Sequence, residues 1–197
     1  EDTPCEWAPE YKDAELQRRL DAFNAHAEPG TEMVMDVDGS GRFSGCLHIH
    51  MNFTRPINIV AGERPPTVYD VVNTAKSTAS LRTITSFFLP RNTVRTVAIS
   101  SDMTTRQMIM TLLRKFKVAD NPRKFALYEC TTEMECATLL RKFSRIPDDV
   151  CPLRAVLNWG NPREKALVLQ ENDTGDIIWD AFEAPELENF LRILRME

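Results

Sequence analysis

Apolar positions along the chain switch between a spacing near 3.6 and a spacing of 2, and each switch marks a change of element. In "KDAELQRRLDAFNAHAEPG", Leu16, Leu20 and Phe23 recur at i, i+4 and i+7, which predicts a helix over residues 13 to 27. Asp13 is placed to cap its start, and "EPG" at 28 to 30 to stop it. "MVMDVDGSGRFSGCLHIHMNF", residues 33 to 53, carries two short alternating segments on either side of Asp-Gly-Ser-Gly, the pattern of a β-hairpin. Residues 60 to 80 have poor periodicity and contain a Pro-Pro pair, so a long mobile loop is expected there.

Residues 82 to 89 and 93 to 100 read as a second hairpin, in which Val97 and Ile99 alternate with Thr96, Ala98 and Ser100. "TTRQ" then offers a capping box of Thr104 with Gln107, followed by an apolar stripe of Met108, Ile109, Leu112, Leu113 and Phe116. "DNPR" at 120 to 123 turns the chain into the strand "KFALYEC". "PLRAVL" reads as a short strand, and "KALVLQEN" as a longer one closed by "NDTGD". A last helix, "APELENFLRILR", places Leu187, Phe190, Leu191 and Leu194 on one side. Strand, strand, helix, strand, short strands, strand is an α+β order. It predicts a ubiquitin-like β-grasp over residues 82–197, preceded by a helical extension (1–30), an extra β-hairpin packed on the core (31–60) and a mobile loop (61–81).

Composition narrows the function classes. The chain has 197 residues and a formal charge of -5, which argues against general affinity for nucleic acid. It contains no apolar run near eighteen residues, so no membrane insertion is expected. Five irregularly spaced cysteines without a C-x-x-C pair fit reduced thiols better than a disulfide framework or a zinc site. No nucleophile elbow, phosphate loop or dinucleotide fingerprint occurs, so no catalytic or cofactor-binding residues are assigned. His48 and His50 would face one side of a strand, as metal-binding pairs do, but no third ligand has suitable spacing, so no metal is assigned.

Charge is unevenly placed. Residues 91 to 124 hold eight basic side chains, Arg91, Arg95, Arg106, Arg114, Lys115, Lys117, Arg123 and Lys124, against Asp102 and Asp120 alone. Such runs often mark only a solvated face; here they would also suit an acidic partner. In a β-grasp the strand near 93–100 lies at the sheet edge, where unpaired backbone groups are a template for a partner strand. Arg91 and Arg95 flank that edge, and Arg114 and Lys115 lie late in the following helix.

"RPINIVAGERPP", "TSFFLP", "AISS", "LLRKFKVADNPRKFALYE" and "LVLQENDTGDIIWDAFEAPELENFLRIL" together resemble the Ras-association domain of the RASSF/NORE family, from about residue 6 to the C-terminus. The "FLP…RTV" stretch with its helix is also similar, more distantly, to the Ras-binding domain of Raf kinases. The resemblance implies a binding module, not an enzyme: a signalling effector or adaptor that takes a GTP-bound Ras-like small GTPase by strand addition. The implied contacts are backbone groups of Thr93, Val94, Arg95, Thr96 and Val97, with charge from Arg82, Arg91, Arg95, Arg114 and Lys115. The N-terminal helix and the first hairpin are expected to reach a second region of the GTPase. Relatives commonly carry two basic residues just before "TSF", where this chain has Thr83 and Ile84, which predicts altered affinity or GTPase preference. A structural spacer with a weakened GTPase surface is the alternative. The family further implies a C-terminal SARAH helix that pairs with Hippo-pathway kinases, a tumour-suppressor setting, and a cytoplasmic protein recruited by partners to membranes or the cytoskeleton. "LRILRME" ends where the SARAH segment is expected to begin, so the chain is expected to be a fragment lacking it.

Overall fold

The computed structural model describes residues 11–37, 41–61, 83–90, 93–135, 138–159, 163–172 and 182–195. Its elements are α1 (Asp13–Asn24), β1 (Met33–Met35), β2 (Phe43–Asn52), β3 (Ile57–Ala61), β4 (Thr83–Phe87), β5 (Thr93–Ser100), α2 (Thr105–Lys115), β6 (Phe125–Glu135), β7 (Thr138–Arg145), α3 (Pro152–Leu157), β8 (Lys165–Glu171) and α4 (Ala184–Leu194).

Strands lie across the main sheet in the order β5, β2, β8, β6, β7. β2 runs antiparallel to β5 and parallel to β8, while β6 is antiparallel to both β8 and β7. A parallel central pair with antiparallel strands on either side, crossed by one long helix, is the β-grasp. Period-2 burial aims one face of each strand at that helix: Leu47, Ile49 and Met51 from β2, Val97 and Ile99 from β5, Phe125 and Leu127 from β6, Leu167 and Leu169 from β8. α2 answers with Met108, Ile109, Leu112 and Leu113, all buried. Each such side chain contributes about 1.5–3 kcal/mol when fully removed from water. The predicted capping box is present, with Gln107 N–H donating to Thr104 Oγ1 at 3.3 Å and Thr104 N–H to Gln107 Oε1 at 3.0 Å.

The first hairpin forms between β1 and β2, with Met35 opposite Phe43. A Cβ on Gly45 would lie 2.9 Å from Met33 Cγ, so only glycine admits this close approach of β1. The longer arm of that hairpin continues into the centre of the sheet. The second predicted hairpin does not form as expected: β5 pairs with β2, whereas β4 pairs with β3 in a separate two-stranded ribbon. Alternation shows which face of a strand is apolar and carries no information about its neighbour, so the sequence-adjacent partner was the wrong choice. "PLRAVL" is likewise helical, not a strand. Pro152 opens α3, and Leu153, Val156 and Leu157 bury one side of it. Asp13 does not cap α1: Lys12 occupies the cap position without a side-chain bond, and Asp13 sits in the first turn, where its charge favours the helix dipole. The predicted loop at 61–81 lies almost wholly outside the described residues.

The β3–β4 ribbon is fastened to the segment after α2. Val60 N–H donates to Lys117 O at 2.9 Å, Ala119 N–H to Asn58 O at 2.7 Å, and Asp120 accepts from both the backbone and the side-chain amide of Asn58. Ser86 Oγ of β4 donates to Asn58 Oδ1. Lys124 Nζ, 3.9 Å from Asp120 Oδ1, also donates to Glu186 Oε1 at 2.7 Å and ties α4 to this corner. Burial raises the Glu186 pKa, but the bonds from Lys124 and the Glu183 backbone, with the Lys124 charge, outweigh it and hold the carboxyl below its ordinary value. A depressed carboxyl stabilises the fold above its unfolded pKa, and the contribution is lost as pH falls through the folded value. Acidification below the ordinary carboxylate range is therefore expected to release the start of α4. In an NMR titration, Glu186 should titrate below 4.5, and Lys124→Met should return it towards that value.

Candidate functional site

On its far side β5 has no strand partner among the described residues, so it presents a sheet edge to which another chain can add a strand. Val97, 4% exposed, points into the core opposite Leu47 and offers only its backbone. Val94 (opposite His50) and Thr96 (opposite His48) are exposed on the outer face, and Thr93 is half-buried opposite Met51. Arg95 shares the core-side face with Val97 but lies beyond the end of α2, with its guanidinium over the Phe116 ring at 5.3 Å. Phe116 is itself packed against the core, so a rigid platform holds the charge beside the free edge.

Arg114 and Lys115 are both exposed in the last turn of α2, where each cation gains about 0.3–1 kcal/mol from the helix dipole. The Arg95–Phe116 stack joins this turn to β5, which brings Arg95, Arg114 and Lys115 to one corner. The structure sorts the basic run by what each charge meets. Arg106 lies 3.9 Å from Asp148, and Lys124 bonds Glu186 and approaches Asp120, so these two are compensated within the chain. Arg95, Arg114, Lys115 and Lys117 have no carboxylate partner among the described residues. Lys117 belongs to the basic run in the sequence but is not among the site residues expected from it. Its signal was its place two residues beyond the helical basic pair.

Arg82 and Arg91 lie outside the described residues. Thr83 and Ile84 belong to β4, opposite Ala61 and Val60, so the position where relatives are expected to be basic is on the ribbon and not in the main sheet. Phe88, 68% exposed, stands in the connection between ribbon and edge.

Other candidate chemistry is structural. His48 Nδ1 lies 3.1 Å from Glu28 Oε2, joining β2 to the chain after α1. His48 and His50 border a cleft of about 100 Å³ with Phe23, Trp159 and Lys165. Glu129 accepts from Trp159 Nε1 and Lys165 Nζ, both at 2.7 Å, so the nearby charge is satisfied. Among the described residues no group of three or more His, Cys, Asp or Glu could hold a metal ion. Cys46, Cys130 and Cys151 are in no disulfide, and burial raises the pKa of Cys130, which makes it less reactive. No helix among the described residues is long and apolar enough to cross a membrane.

Comparison with known proteins places this geometry. The family model for the Ras association (RalGDS/AF-6) domain matches residues 77–174, and the model for the Novel Ras effector 1 C-terminal SARAH (Sav/Rassf/Hpo) domain matches residues 181–197. The SARAH match therefore begins upstream of "LRILRME" and takes in all of α4. The chain is 63% identical along its whole length to Ras association domain-containing protein 1 homolog of Caenorhabditis elegans, covering 33% of that protein. It is 40% identical along its whole length to Ras association domain-containing protein 1 of Homo sapiens, covering 56% of it. Over 93% of the chain it is 38% identical to Ras association domain-containing protein 5 of Rattus norvegicus, covering 43% of that protein.

Proposed function

Because the chain belongs to the family of Ras association domain-containing proteins, we propose that its β5 edge receives a strand of a GTP-loaded Ras-like GTPase, with the charge of Arg95, Arg114 and Lys115 set against carboxylates of that partner. The observation that carries this reading is the conjunction of an unpaired edge with cations that have no carboxylate partner among the described residues. A lone basic helix face is ordinarily a solvated face; one fixed beside an open strand edge can bind and orient an acidic strand. Backbone pairing supplies register and affinity, and the charges chiefly raise the association rate. Thr93, Val94, Thr96 and Val97 serve through their backbone, and Arg82 and Arg91 extend the same charge along the chain.

The role is that of an effector or adaptor, a binding module with no reaction of its own. The match of the SARAH model over 181–197 supports a second contact. α4 buries none of its residues, and Phe190, Leu191, Ile193 and Leu194 are all more than half exposed. This stripe is the start of a helix for pairing with a partner helix, and Hippo-pathway kinases are the partners we assign to it.

The test is a panel of small GTPases, each loaded with GDP or with a non-hydrolysable GTP analogue, titrated against the chain by calorimetry. Binding that depends on the GTP analogue, with an association rate that falls as salt rises, is the expected outcome. If no GTPase binds in a nucleotide-dependent way, the domain acts as a structural spacer between other partners and the docking role is abandoned.

A further inference from the structure

The turn that closes α2 carries an inference that rests on the docking role proposed above. Helix α2 ends in a paired-bond cap: Val118 N–H donates to Leu113 O at 2.9 Å, and Lys117 N–H donates to Arg114 O at 3.0 Å. Such a cap requires its first post-helical residue to be left-handed, and glycine is the usual occupant because any Cβ there crowds the following carbonyl. Here the residue is Lys117, at φ 54, and among the described residues no other side-chain-bearing residue has positive φ. A strained position filled by a long cation, where glycine would close the turn at lower cost, is a reason to look for a use of that side chain.

The surroundings supply one. Lys117 is exposed and has no carboxylate partner among the described residues. The residue before it, Phe116, is the platform on which Arg95 lies, and the two before that are Lys115 and Arg114. Its own carbonyl accepts the Val60 N–H of β3, so the backbone that carries the side chain is anchored on both the helix and the ribbon. A flexible cation on a fixed base costs less conformational entropy to place than one on a loose loop.

We infer that Lys117 is a further partner-binding cation: its ammonium group joins Arg95, Arg114 and Lys115 against the acidic strand that docks on β5, and it is kept for binding at the expense of the helix cap. The competing role is purely structural, a positive charge that offsets the dipole of α2. The two roles give opposite readouts.

The experiment compares the whole chain with Lys117→Gly, Lys117→Asn and Lys117→Arg. Each is titrated against the GTPase that the wild-type chain binds in its GTP-analogue state. Glycine and asparagine both tolerate the left-handed backbone, so the fold is retained in at least one neutral variant. The expected result for both neutral variants is a loss of affinity of about 5-fold, carried mainly by the association rate and shrinking at high salt. The melting temperature of Lys117→Gly is expected to hold or rise, and Lys117→Arg to bind like the wild type. Neutral variants that bind like the wild type overturn the inference while leaving the docking role intact. A wild-type chain that binds no GTPase in a nucleotide-dependent way overturns both.

Discussion

Reversing Arg114 and Lys115 together, Arg114→Glu with Lys115→Glu, is expected to weaken binding of a GTP-loaded Ras-like GTPase by at least about 2 kcal/mol, roughly 30-fold in Kd. Two unit charges 4 Å apart attract by about 4 kcal/mol at an effective dielectric of 20, and screening with side-chain ordering removes most of that at an exposed site. In the proposed docking mode reversal does more than delete this attraction, because each new carboxylate would then face a carboxylate of the partner. Neither side chain has a carboxylate partner among the described residues, so no internal ion pair is broken by the change. The cost to the fold is confined to the helix dipole, about 0.3–1 kcal/mol per reversed charge. For a chain of this size, 1 kcal/mol lowers the melting temperature by about 2–4 °C, so a melting curve separates lost binding from lost structure. Calorimetry against the wild-type partner reads the affinity. An unchanged Kd in the folded double variant removes the end of α2 from the interface.

A chain that starts at residue 77, where the match to the Ras-association model begins, is expected not to fold at all. It would contain α2, β5, β6 and β8 and still lack β2, which lies between β5 and β8 and is bonded to both. Phe43, Leu47, Ile49 and Met51, all buried, leave the core with that strand. At about 1.5–3 kcal/mol each they remove roughly 6–12 kcal/mol of burial, comparable with the whole stability of about 5–15 kcal/mol of an ordinary domain. Two inward edges would also be left unpaired, a route to aggregation. Circular dichroism and an amide NMR spectrum of residues 77–197 should show no cooperative melt and little dispersion, whereas the whole chain shows both. A sharp melting transition in the shorter chain would mean that β2 is dispensable, against its place in the sheet.

The contrast between α2 and β4 shows why some elements were legible in the sequence and others were not. α2 is specified by neighbours in sequence: Thr104 and Gln107 cap each other, and the stripe from Met108 to Leu113 buries one continuous face. β4 follows rules as local as these, and they say only that residues 83–87 are extended. Whether "TITSF" pairs with the strand after it or with Ile57–Ala61 is set by hydrogen bonds made far along the chain, including those between the 117–120 segment and Asn58 and Val60. "PLRAVL" failed for another reason: six apolar-rich residues are too few for periodicity to separate a strand from a buried helical turn.

The same division runs through the site. By itself the sequence determined the acidic chain with one basic stretch, the cap and core face of α2, the alternation that buries Val97 and Ile99, and the motifs by which the family is recognised. These are properties of composition and of residues close along the chain, where side-chain spacing follows from backbone geometry. Only the tertiary structure decided that β2 is the neighbour of β5, that Lys124 and Arg106 spend their charge inside the molecule, that Phe116 supports Arg95, and that Lys117 is left-handed with no carboxylate partner among the described residues. Each of those depends on which distant segment arrives alongside. Pairing and charge compensation are contacts between residues far apart in sequence, and local spacing does not encode them.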